Sequence, residues 1–169
     1  MMKSDKCFDL KDMKTKITQC DSIIFDMDGT LWDGVECYTQ GFNDYFKSKA
    51  ILRTMERIEL DGLMGLEEDA VLEKIFPHIP VGKRKGIYQE VINFQYKRIT
   101  KGEGSLYNGV KDGLNILSGK YKLFIVSNCA EFTIDHFVDW AGIGDFITDS
   151  MAHAQNYRPK HENIKLLIN

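Results

Sequence analysis

The sequence predicts an α/β fold, a Rossmann-like parallel sheet covered by helices and interrupted by a helical insertion. Three observations predict it. Two short apolar runs, Ile23-Ile24-Phe25 and Leu123-Phe124-Ile125-Val126, each stop abruptly at polar residues. Buried parallel strands read this way where their C-terminal ends open into a crevice. Helical periodicity lies between and after these runs, which is the alternation of a sheet with crossover helices. Finally, residues 35–104 carry helical patterns and no convincing strand.

Taken in order, residues 1–19 are rich in lysine and aspartate and predict a surface segment or a short helix. The first strand runs through Ile23 and Ile24 into Asp26-Met27-Asp28-Gly29-Thr30. Tyr38, Phe42, Tyr45, Phe46 and Lys49 are spaced for one amphipathic helix. Val71, Leu72, Ile75 and Phe76 suit a second, and Ile87, Tyr88, Val91, Ile92 and Ile99 a third. Pro77 and Pro80 punctuate the join, and Lys101-Gly102-Glu103-Gly104-Ser105 predicts a return hinge. Residues 1–34 and 105–169 therefore form the core and 35–104 an inserted helical domain. In the second half, Val110, Leu114 and Leu117 make a helical stripe before the Leu123–Val126 strand. Ile134, Phe137, Val138 and Ala141 make another after it, with Gly142 as the C-terminal stop. A third, weaker strand is predicted at Asp145-Phe146-Ile147-Thr148.

The 169 residues, 43% of them apolar, suffice for one domain or a small core with an insertion. A net charge of −3 argues against broad capture of nucleic acid or an anionic membrane. It leaves small phosphorylated metabolites open, since these need only local positive groups. No apolar run spans a bilayer, and the polar start lacks a signal-peptide core, which predicts a cytoplasmic protein. Cys7, Cys20, Cys37 and Cys129 form no CxxC pair and predict reduced thiols. His78, His136, His153 and His161 are too scattered for a metal site. Gly113 to Gly119-Lys120 has the wrong spacing for a P-loop, and Tyr121 stands where Ser or Thr is needed.

The chemistry concentrates at the strand ends. Residues two apart on a strand point the same way, so Asp26 and Asp28 start on one side of the chain and the turn at Gly29 can aim both into a crevice. Ligands bind at the carboxyl ends of strands in open parallel sheets. Two carboxylates there suit a hard cation such as magnesium, or a division between nucleophile and acid/base. An isolated DxDG is equally compatible with a plain turn or a calcium-like loop. Ser127 and Asn128, after the second apolar run, offer a hydroxyl and an amide, and equally suit a helix N-cap.

Together these segments resemble the haloacid dehalogenase superfamily. Asp26-Met27-Asp28-Gly29-Thr30-Leu31 is similar to its first motif, Ser127 to its second, and Lys160 in Arg158-Pro159-Lys160-His161-Glu162-Asn163-Ile164 to its third. Leu106-Tyr107-Asn108-Gly109-Val110 resembles the segment leading back from the cap in phosphoglycolate-phosphatase-like members. The resemblance covers the chain from Asp21 onward. It implies a three-layer α/β/α core with an inserted helical cap. It also implies a magnesium-dependent phosphatase acting on a small phosphomonoester, phosphoglycolate-like or sugar-phosphate-like, with a phosphomutase as the close variant. In that scheme Asp26 attacks phosphorus and forms an aspartyl phosphate, and Asp28 protonates the leaving alcohol and then activates water. Magnesium is held by the Asp26 carboxylate and the Asp28 backbone carbonyl. Ser127, Asn128 and Lys160 bind phosphoryl oxygens, together with the Gly29-Thr30 turn. The presence of Asp28 favours phosphate chemistry over dehalogenation, which needs no acid for a leaving alcohol. Gly62-Leu63-Met64-Gly65-Leu66-Glu67-Glu68 is a candidate specificity loop and equally a plain connector.

The family's fourth motif, an acid pair on a further strand, has no counterpart after Lys160, where Glu162 is the only acid. The chain is thus expected to stop short of that motif. The alternative expectation is a truncated, inactive phosphate- or metal-binding protein. A further expectation is that the first strand forms a sheet edge covered by a second copy of the chain or by a rearranged segment.

Overall fold

A computed structural model describes residues 20–168. The strongest apolar run of the chain forms the centre of the sheet. This strand, β4 (Lys122–Ser127), has Leu123, Ile125 and Val126 wholly buried. On one side it pairs in parallel with β1 (Ser22–Phe25), Ile23 opposite Leu123 and Phe25 opposite Ile125. On the other it pairs in parallel with β5 (Asp149–Ala152), Ser127 opposite Ala152. The order β1-β4-β5 leaves the outer edge of β1 without a partner strand among the described residues.

The connections are helical, as parallel pairing requires. Between β1 and β4 the chain forms α1 (Val35–Ser48), α2 (Arg57–Asp61), α3 (Glu68–Ile75), α4 (Val81–Thr100) and α5 (Val110–Ser118). After β4 come α6 (Thr133–Ala141) and α7 (Lys160–Leu167). The helices over 35–48, 68–75 and 81–100 follow the predicted stripes. Phe42, Phe46, Leu72, Val91 and Ile99 are all buried among them. The long helices α1 and α4 approach closely at Gly41, where a Cβ would sit 2.4 Å from Gln95 Cγ and 3.1 Å from the Gln95 backbone. No helix among the described residues is long and apolar enough to cross a membrane.

Three elements differ from the sequence-based expectation. The third strand lies at Asp149–Ala152, not at 145–148. Gly142 ends α6 in the left-handed region (φ 59°), and the chain must then turn back through a 3-10 turn at Gly144–Phe146 that buries Ile143. Extended pairing begins only where the Thr148 N–H donates to the Leu123 carbonyl at 2.7 Å. Secondly, the hinge at 101–105 ends in a strand, β3 (Ser105–Leu106), antiparallel to β2 (Trp32–Asp33). This short ladder clamps the two crossings between the core and the helical segment. Its centre is Trp32, fully buried against Tyr38, Phe137 and Trp140 at centroid distances of 6.0, 5.2 and 5.6 Å. Thirdly, α2 was not predicted, because five residues with one buried position, Leu60, carry no readable period. The expectations for 1–19, including Cys7, lie outside the described residues.

Candidate active site

The site forms where β1 and β4 end side by side. Asp26 follows β1 directly. Its Oδ1 accepts the Met27 N–H at 2.8 Å and an ion pair from Lys160 Nζ at 2.8 Å. Two residues on, the chain turns sharply: Thr30 and Leu31 N–H groups donate to the Met27 carbonyl at 3.2 and 2.9 Å, and Gly29 takes φ 72°. That conformation favours glycine. The turn swings Asp28 inward.

Asp28 is partly buried and held by three donors. Trp32 Nε1 and the Tyr38 hydroxyl donate to its Oδ1 at 3.1 and 2.9 Å, and Ser127 Oγ to its Oδ2 at 3.3 Å. Burial pushes its carboxyl up from 3.8 to about 6; the three hydrogen bonds oppose this and the nearby Asp26 charge adds to it. Desolvation dominates because a carboxylate loses more hydration than these neutral donors restore. The Tyr38 hydroxyl is itself pushed well up by burial and by Asp28, so it stays a donor.

Ser127 ends β4 and is buried. Asn128 follows, and its Nδ2 donates to the Gly65 carbonyl at 3.0 Å; its Oδ1 is buried without a hydrogen-bond partner among the described residues. Lys160 is the first residue of α7, an end where the helix dipole disfavours a cation. Asp26 offsets that cost, and a buried amide network sets the approach. Asn163 is 1% exposed, accepts from Asn156 Nδ2 at 2.8 Å and donates to the Arg158 carbonyl at 3.3 Å. His153 Nδ1 meets the same carbonyl at 3.0 Å.

Asp26, Asp28, Ser127, Asn128 and Lys160 line one cleft, with ≈ 660 Å³ of empty space counting its open mouth. Gly29 and Thr30 do not line it: both are exposed, and their N–H groups are committed to the turn, Gly29 donating to the Trp32 carbonyl at 3.0 Å. Leu63, Met64, Gly65 and Leu66 reach the cleft from the opposite side. Cys129 also lines it, but burial pushes its thiol up to about 12, which leaves little thiolate at neutral pH.

Sequence reasoning missed the residues that orient the acids and the lysine. In the sequence Tyr38 reads as part of a helix stripe, and Trp32 carries no signal. Asn163 carried one signal, a polar residue within the segment that resembles the third motif.

The model of the haloacid dehalogenase-like hydrolase family matches residues 23–169. The chain belongs to that family. Solved structures with the same fold include a haloacid dehalogenase-like hydrolase from Streptococcus pneumoniae (22% identity, TM-score 0.70, covering 89% of this chain and 70% of that one). Another is a predicted phosphoglycolate phosphatase from Haemophilus somnus (19%, TM-score 0.76, 89% and 71%). A third is a predicted phosphatase from Clostridium acetobutylicum (15%, TM-score 0.74, 88% and 69%). No curated protein matches.

Proposed function

We propose that the chain is a phosphomonoesterase working through an aspartyl phosphate on Asp26, with residues 35–104 as a cap over the core. The carrying observation is the pairing of Asp26 with Lys160 at 2.8 Å beside an Asp28 whose carboxyl ionises near 6. A carboxylate ion-paired with a lysine, beside a second carboxyl that burial favours in its protonated form, is what a nucleophile and a proton shuttle require. The phosphatase relatives among the structural neighbours support the same reading.

Lys160 and Ser127 line the cleft beside Asp26, which supports a role for them in orienting and neutralising phosphoryl oxygens. An Asp26 oxygen attacks phosphorus in line with the ester oxygen. The P–O ester bond breaks, and protonated Asp28 gives its proton to the leaving alkoxide. Asp28, now a carboxylate, takes a proton from water; the hydroxide attacks the aspartyl phosphate and releases inorganic phosphate and free Asp26. Tyr38 and Trp32 hold Asp28 in place throughout, and the apolar side of the cleft limits competing water.

Magnesium belongs to this reading. The available donors are hard oxygens, the Asp26 carboxylate and the Asp28 backbone carbonyl, on which no hydrogen bond from a described residue ends. Such a pair fits magnesium, which keeps several waters and takes substrate oxygens. The described residues contain no group of three acidic, histidine or cysteine ligands, so phosphate and water would complete the shell. Bound there, magnesium would neutralise charge on the transferring phosphoryl group.

Hydrolysis of 4-nitrophenyl phosphate by the purified chain, with and without magnesium, tests the proposal. Asp26→Asn should lower kcat by about 10³-fold or more, the scale set by loss of a nucleophile. Equal turnover by wild type and Asp26→Asn overturns it.

A further inference from the structure

The wall facing the phosphate site is apolar. Phe42, Leu60, Leu63, Met64, Leu66 and Val71 all line the cleft. Among the described lining residues the only cation is Lys160, already paired with Asp26, while Asp26 and Asp28 are both acids. The polar side chains of the wall are few: Tyr88 and Thr133 bring one hydroxyl each, and the others are largely committed to the protein. Tyr38 donates to Asp28, Gln95 to the Tyr38 carbonyl at 3.5 Å, and Asn128 to the Gly65 carbonyl.

A phosphoryl group takes the positive part of this site. A second anion on the leaving group would meet hydrocarbon and two carboxyls, with no counter-charge to replace its water. A polyol would set most of its hydroxyls against aliphatic side chains and lose more hydrogen bonds than Tyr88 and Thr133 could restore. A branched alkyl or aromatic group would gain burial on the same wall.

We propose that the substrate is the phosphomonoester of a small, uncharged and largely apolar alcohol, selected by Leu63, Met64 and Leu66. The inference rests on the phosphomonoesterase reading. It departs from both the phosphoglycolate-like and the sugar-phosphate expectation, because the wall that would meet a carboxylate or a polyol is mostly hydrocarbon and, among the described lining residues, brings no cation beyond Lys160.

The test uses a matched pair. In 2-methylpropyl phosphate an isopropyl group replaces the carboxylate of 2-phosphoglycolate at the same carbon, with near-equal shape. With the full chain and magnesium, kcat/KM should be at least about tenfold higher for the alkyl ester, the scale of one hydrophobic contact in a pocket. Met64→Arg, which adds a cation to the wall, should reverse the preference. Asp26-dependent hydrolysis that favours 2-phosphoglycolate, or treats the two alike, overturns the inference and leaves the phosphatase reading standing. If neither ester is hydrolysed, binding decides the chemistry of the wall, and the phosphatase reading stands or falls on 4-nitrophenyl phosphate alone. Calorimetry with 3-methylbutylphosphonate and 3-phosphonopropionate then supports the inference if the alkyl compound binds tighter, and overturns it otherwise.

Discussion

Asp28 sits in surroundings that favour its protonated form, and this has a consequence for stability as well as for catalysis. Its folded-state ionisation near 6 lies above the 3.8 expected of an exposed aspartate. Between those values the folded chain holds a proton that the unfolded chain has released. Stability therefore falls as pH rises from about 4 to about 6, and is flat above that. The magnitude is on the order of 3 kcal/mol, since each tenfold change in proton affinity is worth about 1.4 kcal/mol. Chemical denaturation of the metal-free chain across pH 4–7 should show this loss in the wild type. Asp28→Asn should not show it, and parallel pH curves for the two would refute the assignment. The acids themselves were legible in the sequence because their spacing alone puts both at one strand end. The burial that raises Asp28, and the Trp32, Tyr38 and Ser127 groups that hold it, were not, because those residues come from three different elements.

At the scale of elements, the amphipathic helices were legible because each buries a stripe with its own period, as in Val71, Leu72 and Ile75 of α3. Short elements were not. The β2–β3 ladder is two residues a side, and its stability comes from Trp32 and not from strand propensity. Gly34 and Gly104 permit it: a Cβ at either would come within 2.5 or 2.2 Å of the Trp32 ring. Gly104 thus acts as a packing residue as well as part of a hinge. Gly104→Ala should push Trp32 off Phe137 and cost about 1–3 kcal/mol, the usual scale of overpacking. Thermal melting would reveal it, and an unchanged Tm would mean that the ladder can yield.

Across the whole molecule, the cleft exists only where the helical segment meets the sheet. Besides the Tyr38–Asp28 hydrogen bond, two further contacts tie that junction. Asn128 donates to Gly65, and Lys85 lies over the Tyr157 ring at 4.3 Å, in the loop that leads to Lys160. The first tie has a built-in weakness, because Asn128 Oδ1 is buried with no hydrogen-bond partner among the described residues. An unpaired buried acceptor costs about 1–3 kcal/mol, comparable to what its hydrogen bond contributes. Asn128→Ala removes both at once. It should leave Tm nearly unchanged while raising KM several-fold, because the Leu63–Leu66 segment loses its anchor. A large fall in Tm with KM unchanged would assign Asn128 to folding instead.

The sequence by itself determined the parallel α/β class, the helical insertion and the chemical types at the strand ends. These are local facts: hydrophobic period, strand-end acids and glycine position are all written in consecutive residues. Tertiary structure decided the start of β5, the exclusion of Gly29 and Thr30 from the cleft, and the nature of the wall opposite Asp26. Each depends on residues distant in the chain. The register of β5 is set by Leu123, the turn at Gly29 spends its N–H groups on Trp32 and Met27, and the wall is assembled from α1, the end of α2, the segment after it and α3. Burial, which sets both the ionisation of Asp28 and the polarity of the cleft, exists only once those distant parts have packed together.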